Sequence, residues 1–105
     1  MATLELYLRG READQKISDR HLSAISHSYC GKWRNLGPYL ELDNIVTEDI
    51  KRSLGDEEDK RRNFLQKWRE TKGSGATYRK LIGALLDIHC REDAEGVWKI
   101  ATGEH

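Results

Sequence analysis

Apolar side chains along this chain recur mainly three and four residues apart, the spacing of one face of an α-helix. Ser18 or Asp19 is a competent N-cap, and Leu22, Ile25 and Tyr29 then mark a first buried stripe, which Gly31 ends. Trp33, Leu36 and Leu40 share the face of a short second helix. Pro38 falls inside it and would cost roughly 3 kcal/mol beyond the first turn, so that helix is either short and late-starting or bent. Asp43 caps a third helix in which Val46, Ile50 and Leu54 stand four apart, and Gly55 closes it in a left-handed turn.

The fourth helix has the clearest local chemistry. Asp56 is its N-cap, and Glu57, Glu58 and Asp59 face the positive end of the helix dipole. Glu57–Arg61 and Glu58–Arg62 are i, i+4 pairs in the favoured order, each contributing about 0.2–0.5 kcal/mol. Phe64, Leu65 and Trp68 form the apolar face; Lys67, Arg69 and Lys72 load the far end, and Gly73 stops it. After the Gly73-Ser74-Gly75 break, Thr77 or Ser74 caps a fifth helix with Tyr78, Leu81, Ile82, Leu85 and Ile88 inward. This is the most hydrophobic segment and should be the central helix. A sixth begins at Arg91 or Glu92, turns Ala94, Val97 and Ile100 inward and frays near Gly103.

The pattern predicts an all-α fold, a six-helix antiparallel bundle joined by short loops. Its expected core comprises Leu22, Ile25, Trp33, Leu36, Leu40, Ile50, Leu65, Trp68, Leu81, Leu85 and Val97. Trp98, beside Val97 on a short helix, should be partly exposed, either covering the bundle end or forming a contact patch. The first residues are ambiguous, because Leu4, Leu6 and Leu8 alternate like a strand while Leu4 and Leu8 also suit a helix. Residues 1–17 are therefore read as a leader, strand-like or partly helical, with the domain over 18–102 and a tail at 103–105.

Composition fits this reading. A chain of 105 residues with 37% hydrophobic and 34% charged residues and one Pro suits one soluble helical domain. No run approaches the roughly 20 apolar residues that cross a bilayer. Met1-Ala2-Thr3-Leu4-Glu5-Leu6 has neither the basic nor the apolar region of a secretory signal. Cys30 and Cys90 are too few for a disulfide scaffold and read as reduced thiols in a cytoplasmic protein, or in the cytosolic part of a larger one.

Eighteen basic residues balance 18 acidic ones, so no overall field attracts nucleic acid. Locally the charges separate. Residues 41–49 carry Glu41, Asp43, Glu48 and Asp49 without a base, whereas Asp56-Glu57-Glu58-Asp59 runs straight into Lys60-Arg61-Arg62. Separated patches on a neutral chain suit docking on copies or relatives.

Catalytic and metal chemistry find little footing. His27 with Cys30 and His89 with Cys90 suggest a zinc set, but adjacent helical residues point about 100° apart and spoil tetrahedral convergence. A His27–Cys30 nucleophile lacks a third group to orient the base. Gly73-Ser74-Gly75-Ala76-Thr77 lacks the Gly-Lys-Ser/Thr of a phosphate loop and reads as a helix boundary. The expectation is no enzyme, no cofactor and no metal. A helix-turn-helix-like nucleic-acid module is the alternative, resting on Lys60, Arg61, Arg62, Asn63, Lys67 and Arg69; four acids at that helix's start oppose phosphate docking.

Several of these residues also form a familiar series. It runs from Trp33-Arg34-Asn35-Leu36 through Leu40, Leu42 and Ile50 to Phe64-Leu65-Gln66-Lys67-Trp68. It continues with Gly73, Ala76-Thr77-Tyr78, Leu81-Ile82-Gly83-Ala84-Leu85 and Ala94-Glu95-Gly96-Val97. In order and spacing this resembles the death domains over roughly residues 18–101, and the Ala-Thr-Tyr to Ala-Leu stretch is most similar to that of the Fas-associated adaptor. Pro38 and Thr47 depart from the family, which usually has a polar or basic residue and an Ile there.

The resemblance implies a Greek-key death fold that assembles with other death domains, in a receptor, adaptor or kinase, and with itself. The setting it implies is apoptotic or innate-immune signal transduction, without nucleic-acid or membrane contact. If the parent is an enzyme such as a kinase, this module still only binds. The implied interaction residues are Arg34, Glu41, Asp43, Glu48, Asp49, Asp56, Glu57, Glu58, Arg61 and Arg62.

Overall fold

Ser18 opens the first long helix as the spacing requires: its side chain accepts from the His21 amide at 3.2 Å. In the computed structural model, which describes residues 3–103, the helices are α1 (Leu4–Arg9), α2 (Asp19–Ser28) and α3 (Asn44–Arg52). They are followed by α4 (Glu57–Lys72), α5 (Tyr78–Asp87) and α6 (Arg91–Thr102). Among the described residues there is no strand, only an isolated antiparallel bridge between Lys16 and Thr77. Met1, Ala2, Glu104 and His105, at the ends of the expected leader and tail, lie outside the described residues.

Local chemistry sets these boundaries. Asp56 and Asp59 form a reciprocal capping box: the Asp59 amide donates to Asp56 at 2.9 Å, and the Asp56 amide donates back at 3.4 Å. Thr77, not Ser74, caps α5 by accepting from the Lys80 amide at 3.1 Å. Gly73, at φ +55°, ends α4 in a backbone conformation that side chains resist.

α5 is the hub. Leu81, Ile82 and Leu85 are fully buried, and its most extensive packing is against α6. α2 lies against α4 and α6, and α3 packs on α4. Leu22, Ile25, Trp33, Leu36, Leu40, Leu65, Trp68, Leu81, Leu85 and Val97 are all buried; Ile50 is only half-buried.

Four sequence expectations need correction. The second helix does not form. Trp33–Asn35 is a single 3₁₀ turn followed by further turns, and Trp33, Leu36 and Leu40 reach the core without a helical ladder. Pro38 supplies no N–H, and beside it a Cβ on Gly37 would meet Thr47 Oγ1 at 2.9 Å, so this segment presses closely on α3. Leu54 is not inward: α3 ends at Arg52, and Leu54 stands 95% exposed in the link to α4. The buried position of α3 is Thr47, with Val46 and Ile50 half-buried beside it. Trp98 is buried at 8% exposure and belongs to the main core cluster.

Residues 3–17 pack on the body. Leu4 to Arg9 are helical, and Leu4, Ala13 and Ile17 are buried. α1 meets α6, and the turn at Arg11–Asp14 meets α5. The Arg79 guanidinium on α5 donates to the Leu8 and Gly10 carbonyls and to Asp14 at 2.6 Å, and Arg91 pairs with Glu5.

Candidate interaction surface

The capping box brings the start of α4 beside the end of α2 and the turn at Trp33. The Glu57 carboxylate there accepts a two-point contact from Arg34, with Nη1 at 3.1 Å, and a third bond from Trp33 Nε1 at 3.3 Å. The Arg34 guanidinium also lies over the Trp33 ring, 4.6 Å from its centre. The Arg34 bond first, and the Trp33 bond second, pull the Glu57 carboxyl down to about 2. The same pairing raises the Arg34 pKa.

Next along α4, Glu58 accepts from Arg62 at 3.0 Å and contacts His27 Nδ1 at 3.1 Å, while Arg62 also lies 3.6 Å from Asp59. The expected Glu57–Arg61 pair does not form. Arg61 donates instead to the Ser26 carbonyl and, at 3.2 Å, to the His27 carbonyl. These oxygens end α2 with no helical partner, and a cation suits that negative pole. Arg61 is thus a tie between helices, and Glu57 is left to Arg34.

The acidic stretch 41–49 is dispersed. Glu41 reaches across to Lys80 on α5, which lowers its carboxyl pKa. Asp43 caps α3 through the Ile45 amide at 3.0 Å. Glu48 pairs with Lys51 at 3.0 Å, and Asp49 lies 3.5 Å from Arg52. The sequence-predicted charges therefore form one dense cluster at the head of α4 (Arg34, Asp56, Glu57, Glu58, Arg61, Arg62) and a separate row of local pairs along α3.

His27, Cys30, His89 and Cys90 do not converge on a ligand site. Cys30 is fully buried, its amide donates to Asp93 at 3.2 Å, and burial pushes its thiol pKa up. Cys90 is half-buried with its sulfur 3.8 Å from the Ile88 carbonyl, and His27 turns to Glu58. No group of three or more metal-ligating side chains occurs among the described residues.

Two surface features escaped sequence reasoning. Trp33, Arg34 and Glu57 meet although Arg34 and Glu57 stand 23 positions apart, and no local spacing signals such a pair. Exposed apolar side chains also stand outside every helical stripe, chiefly Ile45 at 65% and Tyr39 at 45%.

The family model of the death domain matches residues 19–99. The chain belongs to the death-domain family. Neither the curated proteins nor the solved structures gave a match. Death domains are protein–protein interaction modules of apoptotic and innate-immune signalling, and none of the comparisons supports a nucleic-acid role. In this death domain the charged head of α4 is braced from three directions: by the Trp33 turn, by the end of α2 and by its own capping box. No helix of the described residues is long and apolar enough to cross a membrane.

Proposed function

We propose that this death domain is a non-catalytic assembly module that binds other death domains through the charged head of α4. The observation that carries the reading is the fixed geometry there: Arg34, Glu57, Glu58 and Arg62 are paired with one another yet remain at the surface. Charges already held in place lose little side-chain freedom on docking, and complementary potentials set partner choice and association rate more than final affinity.

The finer reading follows the sequence. The binding unit spans residues 18–102 behind a leader at 1–17, operates in the cytoplasm, and is most similar to the death domain of the Fas-associated adaptor. Its partners are death domains of receptors, adaptors or kinases, and copies of itself.

The test is surface-plasmon binding of the chain to a panel of recombinant death domains. Glu58→Lys combined with Arg62→Glu should abolish binding while leaving the circular-dichroism spectrum unchanged. Retained binding in that variant would assign the contact to another face. Titration with duplex DNA at low salt serves as the contrast; saturable, salt-sensitive DNA binding with no death-domain partner would refute the proposal.

A further inference from the structure

We propose that Ser53, in the link between α3 and α4, is a phosphoacceptor for a serine kinase that reads acids beyond its target. The cosubstrate is a nucleoside triphosphate, and the site stands whether or not the domain assembles through the head of α4.

Of the serines and threonines in the chain, Ser53 alone has an acid three positions on. Asp56 holds that position, and Glu57, Glu58 and Asp59 fill the next three. A kinase whose groove is basic beyond the acceptor serine selects substrates by this pattern, because complementary charge sets specificity. The same acids start α4, yet that task leaves Asp56, Glu57 and Asp59 exposed. Glu57 and Glu58 are paired with Arg34 and Arg62. Asp56 accepts from the Asp59 amide and pairs with no cation among the described residues, so the charge three residues from Ser53 is free to be read.

The link presents the hydroxyl. Ser53 is exposed with extended backbone at φ −72° and ψ 162°, Asp56 is extended as well, and Leu54 between them stands 95% exposed. Ser53 is held to one carbonyl, that of Ile50, by its amide at 3.1 Å and its hydroxyl at 2.6 Å. Both bonds close the last turn of α3, and opening a helix end costs far less than unfolding the domain. Releasing that turn frees Ser53 Oγ to attack the γ-phosphorus of ATP. The Oγ–P bond forms, the bond from phosphorus to the β,γ-bridging oxygen breaks, ADP leaves with the electron pair, and the hydroxyl proton passes to the kinase's carboxylate base.

The folded chain has a place for the product. Ser53 Oγ and Lys60 Nζ bond neighbouring carbonyls of one helix end, those of Ile50 and Lys51, the second at 3.0 Å. A phosphoryl group on Oγ thus stands beside an ammonium whose present partner is a carbonyl, and takes it in a charge-assisted bond. Lys51 and Arg52 are already paired with Glu48 and Asp49, so Lys60 is the cation that serves. Lys60 lies at the start of α4, and its bond offsets the repulsion of a dianion by Asp56 and by the negative end of α3.

The test incubates the full chain with ATP labelled at the γ-phosphorus and a purified acid-directed serine kinase, and maps the product by mass spectrometry. One phosphoryl group should enter, on Ser53, and Ser53→Ala should remove it. Asp56→Asn keeps the helix cap, since Asn caps as well as Asp, but deletes the charge; kcat/KM should fall roughly tenfold or more. Asp87→Asn, the same change of charge at an exposed position on α5, should leave kcat/KM unchanged.

The proposal is overturned if no phosphoryl group enters, if it enters elsewhere, or if Asp56→Asn is labelled as fast as wild type. Labelling by a base-directed kinase alone would assign recognition to Lys51 and Arg52 and overturn it equally.

Discussion

Two helical glycines give opposite forecasts for the same substitution. Gly83 in α5 has open space where a Cβ would stand. Replacing it by Ala removes backbone freedom from the unfolded chain and should raise stability by about 0.5–1 kcal/mol. A Cβ on Gly96 in α6 would stand 2.2 Å from Tyr29 Cζ, 2.3 Å from Cε1 and 2.7 Å from Cε2. Carbon atoms normally rest about 3.5–4.0 Å apart, so the ring must move by more than about 1 Å. The Tyr29 backbone is anchored by its amide hydrogen bond to the Ile25 carbonyl at 2.8 Å, so relief must come from the half-buried ring turning about its side-chain torsions. Overpacking of this kind costs roughly 1–3 kcal/mol, against a helix-propensity gain of about 0.8–1 kcal/mol. Gly96→Ala should therefore lose up to about 2 kcal/mol, which at the upper end lowers Tm by several degrees in a domain of this size. In a Tyr29→Ala background the obstacle is gone and Gly96→Ala should become stabilising. The assay is urea unfolding followed by circular dichroism on the four members of that cycle and on Gly83→Ala. A Gly96→Ala that is as stabilising beside an intact Tyr29 as in the Tyr29→Ala background would show that the ring does not lie against the α6 backbone.

Acid should reach the head of α4 late. Glu57's folded pKa of about 2 lies below its unfolded value, so its contribution is fully present above the ordinary glutamate range and disappears as pH falls through about 2. Glu57→Gln should flatten the acid limb of the stability profile between roughly pH 4.5 and 2, and side-chain carboxyl NMR would contradict this by finding Glu57 at the usual value near 4.3. Trp98→Ala should cost about 3–5 kcal/mol in denaturant unfolding, as for a core aromatic. A loss under 1 kcal/mol would return Trp98 to the surface.

Much of the fold was legible because its determinants are local. The capping signals at Ser18, Asp43, Asp56 and Thr77 each sit within three residues of the amide they satisfy. The stripes of α4 and α5 keep their period to the end. The failures share a different cause. Leu54 keeps the four-residue spacing of Val46 and Ile50, yet the helix carrying that spacing stops at Arg52, two positions short. Trp33, Leu36 and Leu40 read as a helix because burial and helix share that spacing, and only the contact of Gly37 with α3 reveals that turns achieve the same burial. Trp98 looked exposed for want of anything to cover it; neither the position of residues 3–17 on α5 and α6 nor the full depth of the core is written in local spacing.

The candidate surface was legible as composition and illegible as pairing. Each charge named from the sequence exists, but partners three and four residues away compete with partners brought in by the fold. Where a fold-supplied partner offers more bonds, it wins. Glu57 exchanges a single flexible arginine on its own helix for two guanidinium contacts and an indole N–H. Arg61, released from that pair, satisfies two helix-end carbonyls that would otherwise face water or remain unbonded. Glu58, with only an exposed imidazole as its distant neighbour, keeps the local Arg62. The exchange divides the cluster by task. Glu57, Arg61 and Arg34 join the start of α4 to α2 and the Trp33 turn, so altering them disturbs the bundle and its surface together. Glu58 and Arg62 depend on little beyond each other, and they are the charges a partner can re-pair without loosening the fold. A docking surface built this way separates rigidity from recognition within two turns of one helix, which is why binding is to be tested at Glu58 and Arg62 and not at Glu57.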